Sequence, residues 1–279
     1  MKSIKILVSV GLAIVLLGGC AKQVNQTAYP EDITKPKLSQ YELNVISDKI
    51  YMNETGGNSK YLMFWSTNED FASLGIGHFI WYPAGAVQRF DQTFPAMIDY
   101  YVANKVEVPG WLLIARKKGA PWRNRAIFEN ARNDPQFQQL KNLLMNTKGL
   151  QTQFFFDRLH ASIPEIAQHV APQYRKHIVD NYNALAATKG GWYPLIDYIN
   201  FKGKGIKSTE RYNNQGWGML QVLKNMRPVQ KGPGALAEFA RSAQMILERR
   251  VRNSPASKNE KKWLPGWRKR INTYRTSIL

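Results

Sequence analysis

Glu54 is the side chain whose place in the sequence points most directly to chemistry. Leu43, Ile46, Ile50 and Glu54 follow one another at spacings of three, four and four, the repeat of one helical face. A carboxyl ending an apolar stripe is expected to be partly shielded from water. Desolvation disfavours its charged form and raises its pKa, as a general acid near neutral pH requires. The same spacing also fits an exposed glutamate in a helix-ending turn. A second stretch, Thr209 to Gln221, packs Glu210, Arg211, amides and aromatics between glycines. Rings stack on apolar sugar faces and amides bond hydroxyls, so Tyr212, Gln215 and Gln221 are candidates for holding a sugar polymer. The stretch also fits a glycine-rich turn around a core tryptophan, with Glu210 either a second carboxylate or a partner of Arg211. The four histidines form no metal signature, and there is no phosphate loop, dinucleotide fingerprint or Gly-x-Ser-x-Gly. No metal and no cofactor are expected.

The elements that must position these residues read mostly as helices. Ser39-Gln40-Tyr41-Glu42 has capping-box spacing, and Gly56-Gly57 can end the helix it starts. Residues 61–82 carry short aromatic and β-branched runs broken by Asn, Asp and Gly, as a β-hairpin or irregular segment would. Asp134-Pro135 opens a helix with Phe137, Leu140, Leu143 and Leu144 inward, and Ser162-Ile163-Pro164-Glu165 is expected to open another. A third runs from about Gly234 to Arg252, with Leu236, Phe239, Ala240, Ala243, Ile246, Leu247 and Val251 on one stripe. Residues 202–205 and 254–262 read as loops. The fold class is α+β, mostly α.

Ser73-Leu74-Gly75-Ile76-Gly77-His78 follows Glu54 by nineteen residues. This run resembles the Thr-Ile-Gly-Ile-Gly-His hairpin of phage-type lysozymes, which follows a helix-terminal catalytic Glu. Tyr193 to Phe201 is similar to that family's central buried helix. Arg249-Arg250, Asn253-Ser254-Pro255 and Arg268 to Thr276 are similar to its C-terminal run. The resemblance implies a lysozyme-like helical domain with a small β-hairpin lobe, here carrying long insertions at about 83–190 and 202–233. It gives Glu54 the general acid's place, Ser73 a place beside the attacking water and His78 a supporting place. Asp70 is available as the family's aspartate, although it stands only three residues before Ser73. Gly216 to Gln221 is faintly similar to the Gly-Leu-Met-Gln motif of lytic transglycosylases. Trp81 and Tyr82, directly after the hairpin, are expected to line the cleft.

At the N-terminus, Lys2 and Lys5 precede an apolar run, Ile6 to Leu17. The run is shorter than the roughly 20 residues of a membrane span and fits a secretory signal. Leu17-Gly18-Gly19-Cys20 resembles the lipobox of bacterial lipoproteins. It implies removal of residues 1–19, lipidation of Cys20, a tether over 20–37 and one domain over 38–279. Ala21 implies sorting to the outer membrane, facing the periplasm. The formal net charge of +19 favours anionic partners. In that compartment these are peptidoglycan, lipopolysaccharide and anionic lipid, not nucleic acid. A lipidated Cys20 excludes a cysteine nucleophile, because it is the single cysteine.

The expected function is therefore a peptidoglycan-cleaving glycosidase (a muramidase) with Glu54 as acid, acting by hydrolysis or as a lytic transglycosylase. The alternative is a cell-wall-binding lipoprotein with a lysozyme-like groove and no catalysis. A chitinase-like activity is a third possibility. Protein partners are left open.

Overall fold

The computed structural model describes Ile33, Lys35 and residues 37–279. The leader, Cys20 and most of the expected tether lie outside the described residues.

Helix α1 (Gln40–Thr55) begins with the expected capping box: Ser39 Oγ accepts from the Glu42 backbone at 3.2 Å, and Glu42 accepts from the Ser39 backbone at 2.9 Å. Gly56 ends it in the left-handed region, φ 61°, its N–H donating to the Met52 carbonyl, where glycine carries no Cβ penalty. The expected hairpin is a three-stranded antiparallel sheet, β1 (Met63–Phe64), β2 (Ala72–Leu74) and β3 (Phe79–Trp81), in that order.

Helices α2 (Phe94–Ala103), α3 (Gly110–Lys118), α4 (Arg125–Asn130) and α5 (Pro135–Asn146) follow. Asp134-Pro135 opens α5 as expected, and Phe137, Leu140 and Leu144 are buried. Helix α6 (Lys148–Gln168) is the longest-range organiser, packing on α1, α2, α7 (Pro172–Ala186) and α8 (Trp192–Lys202). No new helix opens at Ser162: α6 runs through Pro164. A proline near a helix end forfeits one backbone bond. Here Ile163, Ile166 and Ala167 stay buried on both sides of it, and that packing carries the helix onward.

A two-stranded hairpin, β4 (Arg211–Tyr212) and β5 (Gln215–Gly216), turns through Asn213 and Asn214 at φ 50° and 58°. A two-residue turn with both residues left-handed matches strand twist, and asparagine tolerates it. Helices α9 (Met219–Asn225), α10 (Pro233–Asn253) and α11 (Leu264–Asn272) close the fold. The α10 stripe is buried from Leu236 to Leu247, with Val251 half-buried. The described residues are mostly helical with small antiparallel sheets, an α+β fold.

One buried carboxylate on α10 ties that helix to the residues after α9. Glu238, its side chain 3% exposed, accepts from the Arg227 backbone at 2.7 Å, from Arg227 Nη2 at 2.6 Å and from Arg241 Nε at 2.8 Å. Burial alone would raise its pKa, but the Arg241 and Arg227 hydrogen bonds outweigh it and lower the value to about 2. A carboxyl lowered on folding stabilises above its unfolded value, near 4.5, and loses that contribution as pH falls toward 2. The contribution is up to about 3 kcal/mol, less what solvent screening of the exposed Arg227 removes. Urea midpoints taken from pH 6 down to pH 2.5 should fall steeply for the native chain. The fall should be shallower for Glu238→Gln, and parallel curves would show that Glu238 does not carry this effect.

Candidate active site

The turn between β2 and β3 is locked onto α6. Gly75 takes φ 72° and its carbonyl accepts from His78 N–H at 3.2 Å. Ile76 N–H donates to the fully buried Gln151 Oε1 at 2.9 Å, and Gln151 Nε2 donates to the Leu144 carbonyl at 2.7 Å. Gly77 lies so close to Phe155 that a Cβ there would fall 1.7 Å from a ring carbon. Gly77→Ala should therefore lift the turn, at a cost of at least about 1–3 kcal/mol. Thermal unfolding measures this, and an unchanged midpoint would mean the turn is not seated on Phe155.

This seating sets His78 beside Glu54. His78, at φ 48°, places Nδ1 3.6 Å from Glu54 Oε2. The Glu54 side chain is 13% exposed, so the stripe of Leu43, Ile46 and Ile50 does carry it under cover. The exposed-turn alternative for Glu54 is not what is observed. His78 Nε2 is buried without a hydrogen-bond partner among the described residues.

The other oxygen of Glu54 is held from the C-terminal end of the chain. Arg270 Nη2, on α11, donates to Glu54 Oε1 at 2.6 Å. The same guanidinium grips Asp197 on α8, Nε to Oδ2 at 2.8 Å and Nη2 to Oδ1 at 2.7 Å. Asp197 is fully buried and also accepts from Tyr274 at 2.5 Å and from Asn53 at 3.3 Å. Burial works against the Arg270 charge, but Asp197 and Glu54 outweigh it and raise its pKa above the usual arginine value. Sequence reasoning quoted Asp197 and Arg270 only inside longer stretches and gave neither a role.

Lys202, the last residue of α8, was missed as a site residue. Its ammonium lies 3.8 Å from the Phe201 ring centroid and 3.7 Å from that of Trp267. Burial, with Arg250 and Arg270 nearby, pushes it down to about 6, against the pull of Glu260 and Glu54. The two ring faces attract the ammonium form and offset part of that push. Lys202 and Arg270 thus both lie against the Phe201 ring, and no local sequence pattern signals this.

A cavity of about 410 Å³ opens beside His78, between the β2–β3 turn, α6 and the loop after α8. Ile80, Asn200 and Glu210 line it. Ser73 pairs across the sheet with Ile80 and so shares its face. Three carboxylates reach this cavity. Asp91 is bridged to Lys207 at 2.8 Å and Glu165 to Lys204 at 2.6 Å. Glu210 has no ion pair or hydrogen bond from its side chain among the described residues, and burial raises its pKa, against Lys207 and Arg250. It does not pair with Arg211.

Several expected site residues lie elsewhere. Asp70 sits in the β1–β2 turn, at the opposite end of β2 from His78, 68% exposed and bridged to Arg89 at 2.8 Å. It lines a separate cavity of about 930 Å³ that neither His78 nor Glu210 reaches. Its closeness to Ser73 in sequence has this consequence: three residues along a strand edge cannot fold back to the Glu54 end. Trp81 and Tyr82 do not line the cleft. Strand parity turns Phe79 and Trp81 inward and Ile80 outward, and Trp81 packs against Phe94 and Trp122. The Tyr82 hydroxyl accepts from the backbones of Arg89 and Phe90. Tyr212 donates to Glu260 at 3.0 Å and packs on Trp217, while Gln215 and Gln221 line another cavity altogether.

Among the described residues no group of three or more His, Cys, Asp or Glu could hold a metal, and no helix is long and apolar enough to cross a membrane. Comparison of the chain with protein-family models, with curated proteins and with solved structures finds no match.

Proposed function

We propose that this chain cleaves the glycan of peptidoglycan, with Glu54 as the proton donor. The observation that carries the reading is Glu54 itself: a shielded carboxyl at a helix end, held on one side by Arg270 and facing His78 on the other, with His78 in turn lining the cavity that holds Glu210. A glycosidase needs a second group across the scissile bond. Glu210 is the carboxylate we assign to it, because its neighbours Asp91 and Glu165 are occupied by lysines. A base that activates water gives hydrolysis, so each released fragment gains one water relative to an anhydro product. Ser73 and His78 support the reaction from the sheet. The lysozyme-like resemblance of the 73–78 turn and the 268–276 run supports the same reading.

The anchoring reading is a proposal of the same kind. Lipidation at Cys20 would tether the domain to the outer membrane on its periplasmic side, within reach of the wall, with no nucleic acid to meet there.

Purified sacculi test the proposal. The full chain should release soluble fragments whose masses include one added water; anhydro fragments would instead place the substrate's own acetamide in the role given to Glu210. A second reading, wall binding without catalysis, is favoured by the displaced Asp70 and by the arginine already paired with Glu54. It requires the chain to sediment with sacculi and release nothing soluble.

A further inference from the structure

A third cavity, of about 380 Å³, lies between the β4–β5 hairpin, α9 and the end of α6. Its charged lining is of one sign. Arg211, Lys224 and Arg249 face it and no aspartate or glutamate does. None of the three has a carboxylate partner among the described residues. Arg249 donates to the Gly216 carbonyl at 3.0 Å, Lys224 lies 4.8 Å from the Tyr174 ring centroid, and Arg211 is exposed. Burial and the neighbouring Arg252 both work against the Arg249 charge. In the cavity beside His78, by contrast, Lys204 and Lys207 each hold an acid. Unmatched cations gathered in a concavity leave free donors for an anion.

The rest of the lining is amide. Asn214, Gln215 and Asn225 stand beside the guanidinium groups, and such groups bond the N–H and C=O of a peptide as readily as its terminus. The Asn213-Asn214 turn fixes the hairpin that presents them. The volume lies within the range of sites for small ligands.

This cavity adjoins the groove lined by His78 and Glu210. Glu165 lines one and His169, the residue capping α6, the other, four residues apart and so about 6 Å along the helix axis. Glu210 and Arg211 are consecutive in the chain, and Gln221 Nε2 donates to the Gly205 carbonyl at 2.9 Å across the boundary. A polymer lying in the groove would carry its side branches past this opening.

We propose that the Arg211–Lys224–Arg249 cavity binds the terminal carboxylate of a short peptide branching from the glycan in the groove. The site makes peptide-bearing strands the preferred substrate. The inference rests on the glycosidase reading for its context but not for its binding chemistry, so the two are tested apart. Calorimetric titration of the full chain with N-acetyl-D-alanyl-D-alanine, its C-terminal amide and inorganic phosphate reads the site directly. The acid should bind at least about tenfold more tightly than the amide and more tightly than phosphate. Arg211→Gln and Lys224→Gln, both at exposed positions, should each weaken the acid by about three- to tenfold. Equal affinity for acid and amide, tighter binding of phosphate, or unchanged affinity in both variants would overturn the proposal. Phosphate preference would mark the cavity as a site for phosphorylated lipid headgroups instead. Dipeptide binding by a chain that leaves sacculi intact keeps this site and removes the glycosidase. In a chain that does cleave, wild-type rates on peptide-free strands equal to those on peptide-bearing strands would overturn the substrate preference.

Discussion

Glu54→Gln should lower the rate of glycan cleavage by about 10²–10⁴-fold while the chain stays folded. The amide keeps the size of the carboxyl and can still accept from Arg270 and face His78, but it has no proton to give to a leaving oxygen. Because the loss is confined to the transition state, kcat should fall and KM should stay within about twofold. A matching fall in thermal stability would show that the charge of Glu54 is needed for the fold, not for the reaction. Unchanged cleavage would remove Glu54 from the mechanism. Measurement of steady-state release from sacculi, beside thermal unfolding of the same preparations, separates these results.

The second large effect concerns what holds Glu54 in place. Asp197 is fully buried and takes two of its hydrogen bonds from Arg270. Arg270→Met would leave that carboxylate buried with only the neutral donors Tyr274 and Asn53. Stranding a buried charge costs about 3–5 kcal/mol. The double variant Arg270→Met with Asp197→Asn removes the stranded charge and should recover a large part of that loss, as neighbours in one network are not additive. Urea unfolding of the two variants measures the difference. A single variant within about 1 kcal/mol of the native chain would mean that the pair is dispensable. The recovered double variant also separates folding from chemistry: it should still cleave poorly, because Glu54 has lost the donor that orients it.

The parts of this fold that rest on local pattern were legible in the sequence. The Ser39–Glu42 box, the Leu43-to-Glu54 stripe, the Asp134-Pro135 start and the α10 stripe each declare themselves within a few turns of chain. What joins distant elements was not. Glu54 and Arg270 are 216 residues apart, and a hydrogen bond across that span leaves no periodic trace. Asp197 sits in an apolar helix whose pattern marks it only as an odd polar residue. Pro164 read as a start because proline favours the first helical turn, yet the burial of its neighbours carried α6 past it. Trp81 was misplaced by one step of strand parity, the outward residue being Ile80, while Tyr82 is buried against Phe71 with its hydroxyl under the Arg89 and Phe90 backbones. Asp70 was placed by analogy with a longer spacing, and the short β1–β2 connection holds it at the wrong end of the sheet.

Proton donation by Glu54 is tested most directly by changing how much the leaving group needs a proton. The native chain and Glu54→Gln would be compared on N-acetylglucosamine oligosaccharides carrying aryl leaving groups of graded acidity. With a poor leaving group the variant should lag by the full factor given above. With dinitrophenolate, which departs unprotonated, the gap should close to within about tenfold. An equal lag on every leaving group would contradict the account, since Glu54 would then be serving some need other than the proton.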